Sequence, residues 1–238
     1  MDVRWLEKDY GKENKLVIHF LDPDYARGVT LSMTVKPYLD DDRWLYFPET
    51  NVIRRVTSRD EHANFMGTDF SYYDLAEREP DEETHTLLRI EEFKGSPCYV
   101  VETKPKQIAP NGYGRKVSWI DKDRFLKLRI QYFNARDQLR KQFDTDRWER
   151  VSGIWTPMVM VMEDFLAGHR TTIERRKVVY NQKVRDDFFL PQNVDCVYYK
   201  DGAFGLIPFD QRPTKVWEDP AKRKIWKPDQ AAPAPKAP

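Results

Sequence analysis

Cysteine is nearly absent: the 238 residues hold two, Cys98 and Cys196, which allow one intramolecular pairing whose geometry the sequence leaves open. Charge of one sign is absent too. Lys and Arg number 40 against 39 Asp and Glu, a net of +1, which excludes a global field that recruits nucleic acid or an anionic membrane. No apolar run approaches the ~18 residues of a helical membrane span. The N-terminus, Met1-Asp2-Val3-Arg4-Trp5, has no basic stretch followed by an apolar core, so no targeting leader is visible.

Catalytic patterns are missing as well. There is no GxSxG, Walker loop, GxGxxG after a strand, CxxC or close His–carboxylate pairing, so the chain does not read as an enzyme and calls for no cofactor. The four histidines, at 19, 62, 85 and 169, lack HxH and HExxH spacing, and His19 among apolar neighbours reads as structural, not as a metal ligand. Asp40-Asp41-Asp42 lacks the Gly and distal Glu of a calcium loop and reads as a solvated hairpin tip. Asp121 and Asp123 form a DxD on a turn, where Asp is favoured for local backbone hydrogen bonds.

What is present is aromatic and alternating. Aromatics make up 13%, seven of them Trp, which suits either a β core or contact with something greasy. The length suits one large antiparallel domain, placed at residues 1–199, followed by a tail over 200–238. Leu16–Leu21 and Val29–Val35 are strands, the second alternating apolar and hydroxyl residues so that one face is buried. Residues 43–48 and 51–56 follow, then Thr86–Glu92, Pro97–Thr103, Tyr113–Asp121 and Leu126–Phe133. In the last of these Leu126, Leu128, Ile130 and Tyr132 share a face opposite Lys127, Arg129 and Gln131. Leu139–Phe143, Arg147–Ser152, Ile154–Glu163 and His169–Tyr180 complete a meander whose sheet order follows sequence order, and Val184–Pro191 reads as a short edge element. Pro157–Met162 is greasy on both faces, which predicts a central strand; Met158, Met160 and Met162 share one face, as core or as the lining of an apolar site. In the tail, prolines from Pro208 onward break every element. It reads as an extended arm with docking aromatics, disordered after about residue 228.

The stretch Phe65 to Leu75 breaks the alternation. Gly67 supplies a tight bend, Ser71 with Asp74 forms a capping box, and one or two helical turns follow. Phe70, Tyr73 and Leu75 then point toward the concave surface of the surrounding strands. Arg54 and Arg55 are candidates to clamp this element through Asp69 or Asp74, or else are solvated.

These residues resemble a family. Gly67-Thr68-Asp69-Phe70-Ser71-Tyr72-Tyr73-Asp74-Leu75, with Trp44-Leu45-Tyr46-Phe47-Pro48 and Ile53-Arg54-Arg55-Val56 before it, is similar to the outer-membrane lipoprotein-sorting, LolA-like proteins. The likeness continues through Trp119-Ile120-Asp121, Gly153–Met160, Arg170-Thr171-Thr172 and Asp186-Asp187-Phe188-Phe189, and spans about residues 10 to 190. It implies a mainly β fold with short α segments: a curved antiparallel sheet forming an incomplete β-barrel closed by short helices. It also implies a periplasmic carrier or chaperone, monomeric, whose apolar cavity takes a lipid or acylated protein, in company with an RND-type exporter. Members start with a signal peptide and an N-terminal helix, and neither is visible ahead of Trp5 and Leu16.

Joined to the reading of the residues, the resemblance makes Trp44, Tyr46, Phe65, Met66, Phe70, Tyr73, Leu75, Trp119, Leu128, Ile130, Met158, Met160 and Met162 the candidate cavity lining. Arg54, Arg55, Asp69 and Asp74 are the candidate anchor of its lid. The competing expectation is a cell-envelope interaction module that transports nothing because its concave face is filled by its own side chains.

Overall fold

The strands expected from alternation are present in a computed structural model that describes residues 1–76, 78–109, 111–200, 203–206, 215–216 and 225–228. The expected disorder after about residue 228 lies outside the described residues. The chain divides into two compact units, Met1–Ser58 with Lys183–Pro238, and Arg59–Gln182.

In the first unit a seven-stranded antiparallel sheet runs β1 (Asp2–Asp9), β2 (Asn14–Asp22), β3 (Thr30–Val35), β4 (Asp42–Phe47), β5 (Val52–Val56), then β16 (Ile225–Pro228) and β15 (Lys215–Val216). β1 was not read from the sequence, yet it pairs with β2 from Asp2 to Asp9. Every residue of β3 is buried, which corrects the half-buried expectation. Its hydroxyl face is covered: Ser32 Oγ donates to the Phe189 carbonyl at 3.1 Å, and Thr30 Oγ1 meets His19 Nδ1 at 2.8 Å.

The acidic tip is corrected as well. Asp41 is buried; it accepts the Lys36 N–H and pairs at 2.5 Å with the equally buried Arg43. Buried charges persist when paired, so Asp41 is structural. Residues 184–191 are not an edge strand: they hold a short 3₁₀ turn, Asp186–Phe189, and start a second, Pro191–Asn193, whose first position is a proline pre-set for it. They press Phe188 and Phe189 against Val17 and Val197. A hairpin of β13 (Val197–Lys200) and β14 (Ala203–Leu206) follows, where the sequence pattern gave no strand.

In the second unit seven strands form one meander whose spatial order is β12-β11-β10-β9-β8-β7-β6, so neighbours in sequence are neighbours in space. They are β6 (Glu83–Phe93), β7 (Ser96–Pro105), β8 (Arg115–Asp121), β9 (Lys127–Phe133), β10 (Leu139–Val151), β11 (Ile154–Asp164) and β12 (His169–Glu174). β10 continues through the break expected near residue 145, because a register shift between Thr145 and Trp148 absorbs the irregular residues as a bulge. β12 ends at Glu174, short of Tyr180. β11 is flanked on both sides as expected, with Met158, Met160 and Met162 all buried. The fold is mainly antiparallel β with short helical turns, and among the described residues no sheet closes into a barrel. Cys98 and Cys196 are both buried and neither is in a disulfide.

Candidate functional site: the 64–75 segment and its apolar floor

The segment closes on itself before it meets anything else. Asn64 and Ser71 form an isolated antiparallel bridge, the Phe65 N–H donates to the Phe70 carbonyl at 2.7 Å, and the Thr68 N–H to the Phe65 carbonyl at 2.9 Å. Met66 and Gly67 make the reversal with φ of 48° and 73°, the left-handed region that costs a side chain and not glycine. Ser71 and Asp74 then cap the next turn: the Ser71 N–H and Oγ donate to Asp74 Oδ2 at 2.8 and 2.7 Å. The expected helix shrinks to hydrogen-bonded turns over residues 72–75, since a single turn cannot repay its own nucleation.

Its Phe70 packs with Tyr113, Tyr132 and Met162 below it, and the segment's Tyr73 and Leu75 join this cluster with Ile130, Phe143 and Ile173. Tyr113 and Tyr132 have ring centroids 4.6 Å apart. Phe65 lies edge-on to Tyr72 at 5.5 Å. The remaining predicted lining residues separate. Trp119 and Leu128 pack with Cys98, Val100, Val117 and Leu126. The register pairs Trp119 with Arg129, and Ser118 with Ile130, so Trp119 stands on the face opposite Ile130 and Tyr132, with an irregularity in the pairing beside Leu128. Trp44 and Tyr46 belong to the first unit, against Ile53 and Val194. Met66 sits half-buried at the tip of the bend.

The anchor is lysine and histidine, not arginine. The fully buried Lys141 ammonium donates to the Asp69 carbonyl at 2.6 Å and to Asn64 Oδ1 at 3.0 Å, and lies 3.8 Å from Asp74 Oδ2. The Asp69 carboxylate accepts the Thr171 hydroxyl at 2.6 Å and meets His169 Nδ1 at 2.7 Å. Arg55 instead pairs with Asp42 at 3.0 Å. Donors of β10 and β12 thus reach the segment, where Arg54 or Arg55 was expected. The one sequence signal for Lys141 was its place between Leu139 and Phe143 on the inward-facing set of β10 positions. His169 and Thr171 carried no signal of this kind.

Burial governs the electrostatics. It lowers the Lys141 pKa, with the Asp74 charge opposing, and it lowers that of Lys116, whose ammonium sits 2.7 Å from Glu83. It raises the phenols of Tyr73, Tyr113 and Tyr132, helped at Tyr73 by Glu83 and at the other two by Asp74. These phenols stay neutral, which gives the floor an apolar body with polar tips. Among the described residues no group of three or more His, Cys, Asp or Glu is arranged to hold a metal ion.

A family model described as "Uncharacterized protein" matches residues 12–195. The chain belongs to this family. A solved DUF1329 family protein from Desulfovibrio piger is 29% identical, with a TM-score of 0.77 over 81% of this chain and 82% of that one. A structure from Vibrio parahaemolyticus described as an outer membrane lipoprotein-sorting protein domain has a TM-score of 0.77 at 22% identity, covering 81% and 83%. A LolA superfamily protein from Nitrosomonas europaea has a TM-score of 0.57 at 17% identity, covering 79% and 86%. No curated protein matches the chain. The LolA-like resemblance read from the 65–75 stretch is thus borne out in the fold.

Proposed function

We propose that this chain is a periplasmic carrier or chaperone that holds the acyl chains of a lipid or lipid-modified protein. The observation that carries the reading is the apolar floor of Tyr113, Tyr132 and Met162, met by the segment's own Phe70, under a segment held mainly by its own turn and a few polar anchors. Such a cover is easier to lift than a sheet, and each CH₂ transferred from water to the floor contributes about 0.8 kcal/mol. Met158 and Met160 on the same strand face as Met162 extend the lining, and polarisable thioethers accept variable apolar partners. A monomer serving an RND-type exporter belongs to the same proposal, on family resemblance alone.

One observation favours a second reading, an envelope interaction module that carries nothing. Phe70, Tyr113, Tyr132 and Met162 already fill their own contacts and are almost wholly buried. Native mass spectrometry and lipid extraction of the purified protein separate the two. Co-purifying acyl species, or a fluorescent fatty acid that binds the wild type and not Met160→Glu with β structure intact, support the carrier. A clean mass with no probe uptake supports the module.

A further inference from the structure

The second sheet ends in two unlike edges. β12 is six residues long and carries Arg170 and Glu174 exposed, the shortness and charge that keep an edge from accepting another strand. β6, at the other edge, is eleven residues long and contains neither lysine nor proline. Its residues 84–90 are exposed without interruption, among them Leu87 (55%), Leu88 (44%) and Ile90 (53%). Among the described residues no strand pairs with its outer side. Such an edge offers a row of N–H and C=O groups to a strand that matches it.

The register against β7 says which strand matches. Leu87 is opposite Val101 and Ile90 opposite Tyr99, and residues two apart in β7 share a face, so Leu87 and Ile90 stand on one face although they are three apart. The extra residue is Leu88, where the pairing shifts. His85, opposite Thr103, and Glu92, opposite Pro97, share that face too. Now let β6 meet a second β6 antiparallel about a twofold axis between Leu88 and Arg89. Leu87 of each copy is then opposite Ile90 of the other, and His85 is opposite Glu92. Sliding the strands by one residue opposes residues of unlike faces, and sliding by two opposes Glu83 or Leu87 to Glu92. Near the axis the two Arg89 lie on the other face, each paired with its own Glu91 at 2.6 Å.

We infer that β6 pairs with β6 of a second copy of this chain in an antiparallel, twofold-symmetric dimer that sets Leu87 of each copy against Ile90 of the other. One register satisfies both free edges, keeps like faces together and turns exposed apolar side chains into cross-strand pairs. The face it extends is that of the apolar floor. Leu87 is opposite Val101, Val101 opposite Ser118, Ser118 opposite Ile130, Ile130 opposite Phe143 and Phe143 opposite Met162, one row across six strands. An axis normal to the sheet therefore places the floors of the two copies on the same side. The inference rests on the register and surface of β6, goes beyond the carrier reading, and departs from the monomer expected on family resemblance alone.

Sedimentation velocity of the full chain over about a hundredfold range of concentration tests it. The wild type is expected to pass from one copy to two as concentration rises. Leu87→Lys with Ile90→Lys should weaken association about tenfold or more, since outward lysines block edge pairing. Phe165→Lys with Leu166→Lys, exposed at a turn of the same sheet, should leave it unchanged. Unchanged melting curves at a dilution where the wild type is a single copy verify folding. Disulfide formation reads the register: Leu87→Cys mixed with Ile90→Cys should cross-link and neither alone should, the native Cys98 and Cys196 being buried. A single copy at every concentration, association that the β6 lysines leave intact or that the turn lysines weaken equally, or Leu87→Cys cross-linking to itself as well as to Ile90→Cys, would each overturn the inference. Fatty-acid probe uptake by the wild type at the single-copy dilution reports on the carrier reading separately, so the two fail distinguishably.

Discussion

The ammonium of Lys141 lies 2.6 Å from the backbone carbonyl of Asp69, seventy-two residues away in sequence, and is wholly buried there. That contact ties the 64–75 segment to the second sheet through a residue of β10. Its strength follows from burial: an unpaired lysine or an unsatisfied carbonyl in that position has no water to turn to.

Replacing Lys141 with Met keeps the volume and deletes the donor. We expect a loss of about 3 kcal/mol, the cost of removing one partner from a buried charged contact. Arg55→Met deletes a half-exposed partner of Asp42 and should cost about 0–1 kcal/mol. Urea midpoints of the two variants, at unchanged slope, make the comparison. Equal costs would show that Lys141 anchors nothing.

Gly67→Ala isolates the backbone of the bend. The added Cβ would meet no atom within 4 Å, so only the φ of 73° opposes it. The expected cost is about 1–2 kcal/mol, felt as faster amide exchange in residues 64–75 with β9 unchanged. Gly67→Ala as stable as the wild type and no faster to exchange would contradict the geometry assigned to this turn.

His19 makes the first unit sensitive to acid. Burial lowers its pKa from 6.5 to about 4, so the folded state holds the neutral ring while the unfolded chain binds a proton. The stability this contributes is complete above pH 6.5 and is lost as pH falls through about 4, a difference of about 3 kcal/mol. His19→Gln, which can still hydrogen-bond Thr30, should flatten the stability profile between these pH values. A profile as steep in the variant would place the acid sensitivity elsewhere.

Local chemistry was legible and tertiary choice was not. Alternation over Leu126 to Tyr132 placed the central strand, but not its single face: Leu126 and Leu128 pack in one cluster and Ile130 and Tyr132 in another, across an irregularity in the pairing. Gly67, Ser71 and Asp74 announced the bend and cap because those interactions span three or four residues. Lys141 was hidden, since a lysine in an alternating strand is ordinarily an outward residue and only the packed sheet shows what it reaches. β3 misled in the opposite direction. Thr30, Ser32 and Thr34 look like a solvent face, and only the fold reveals that the 186–189 turn supplies a carbonyl to Ser32. Asp41 was mistaken for a solvated tip because its partner Arg43, two residues on, stands on the inward face of β4. Of the predicted lining, Phe70, Tyr73 and Leu75 of the segment pack in one cluster with Ile130 and Met162 of the sheet. Trp119, Leu128, Trp44 and Tyr46 were grouped with them on aromatic character alone, and they belong to other clusters.

The central claim is that the 64–75 segment is a cover that responds to an acyl ligand. Hydrogen–deuterium exchange of the delipidated protein, with and without oleate, tests it most directly. The account predicts fast exchange over residues 64–75 in the free protein, slowed at least tenfold by oleate, with β9 (Lys127–Phe133) protected in both states. A segment that exchanges as slowly as β9 without ligand, or that oleate leaves unchanged, would make it permanent core and contradict the account.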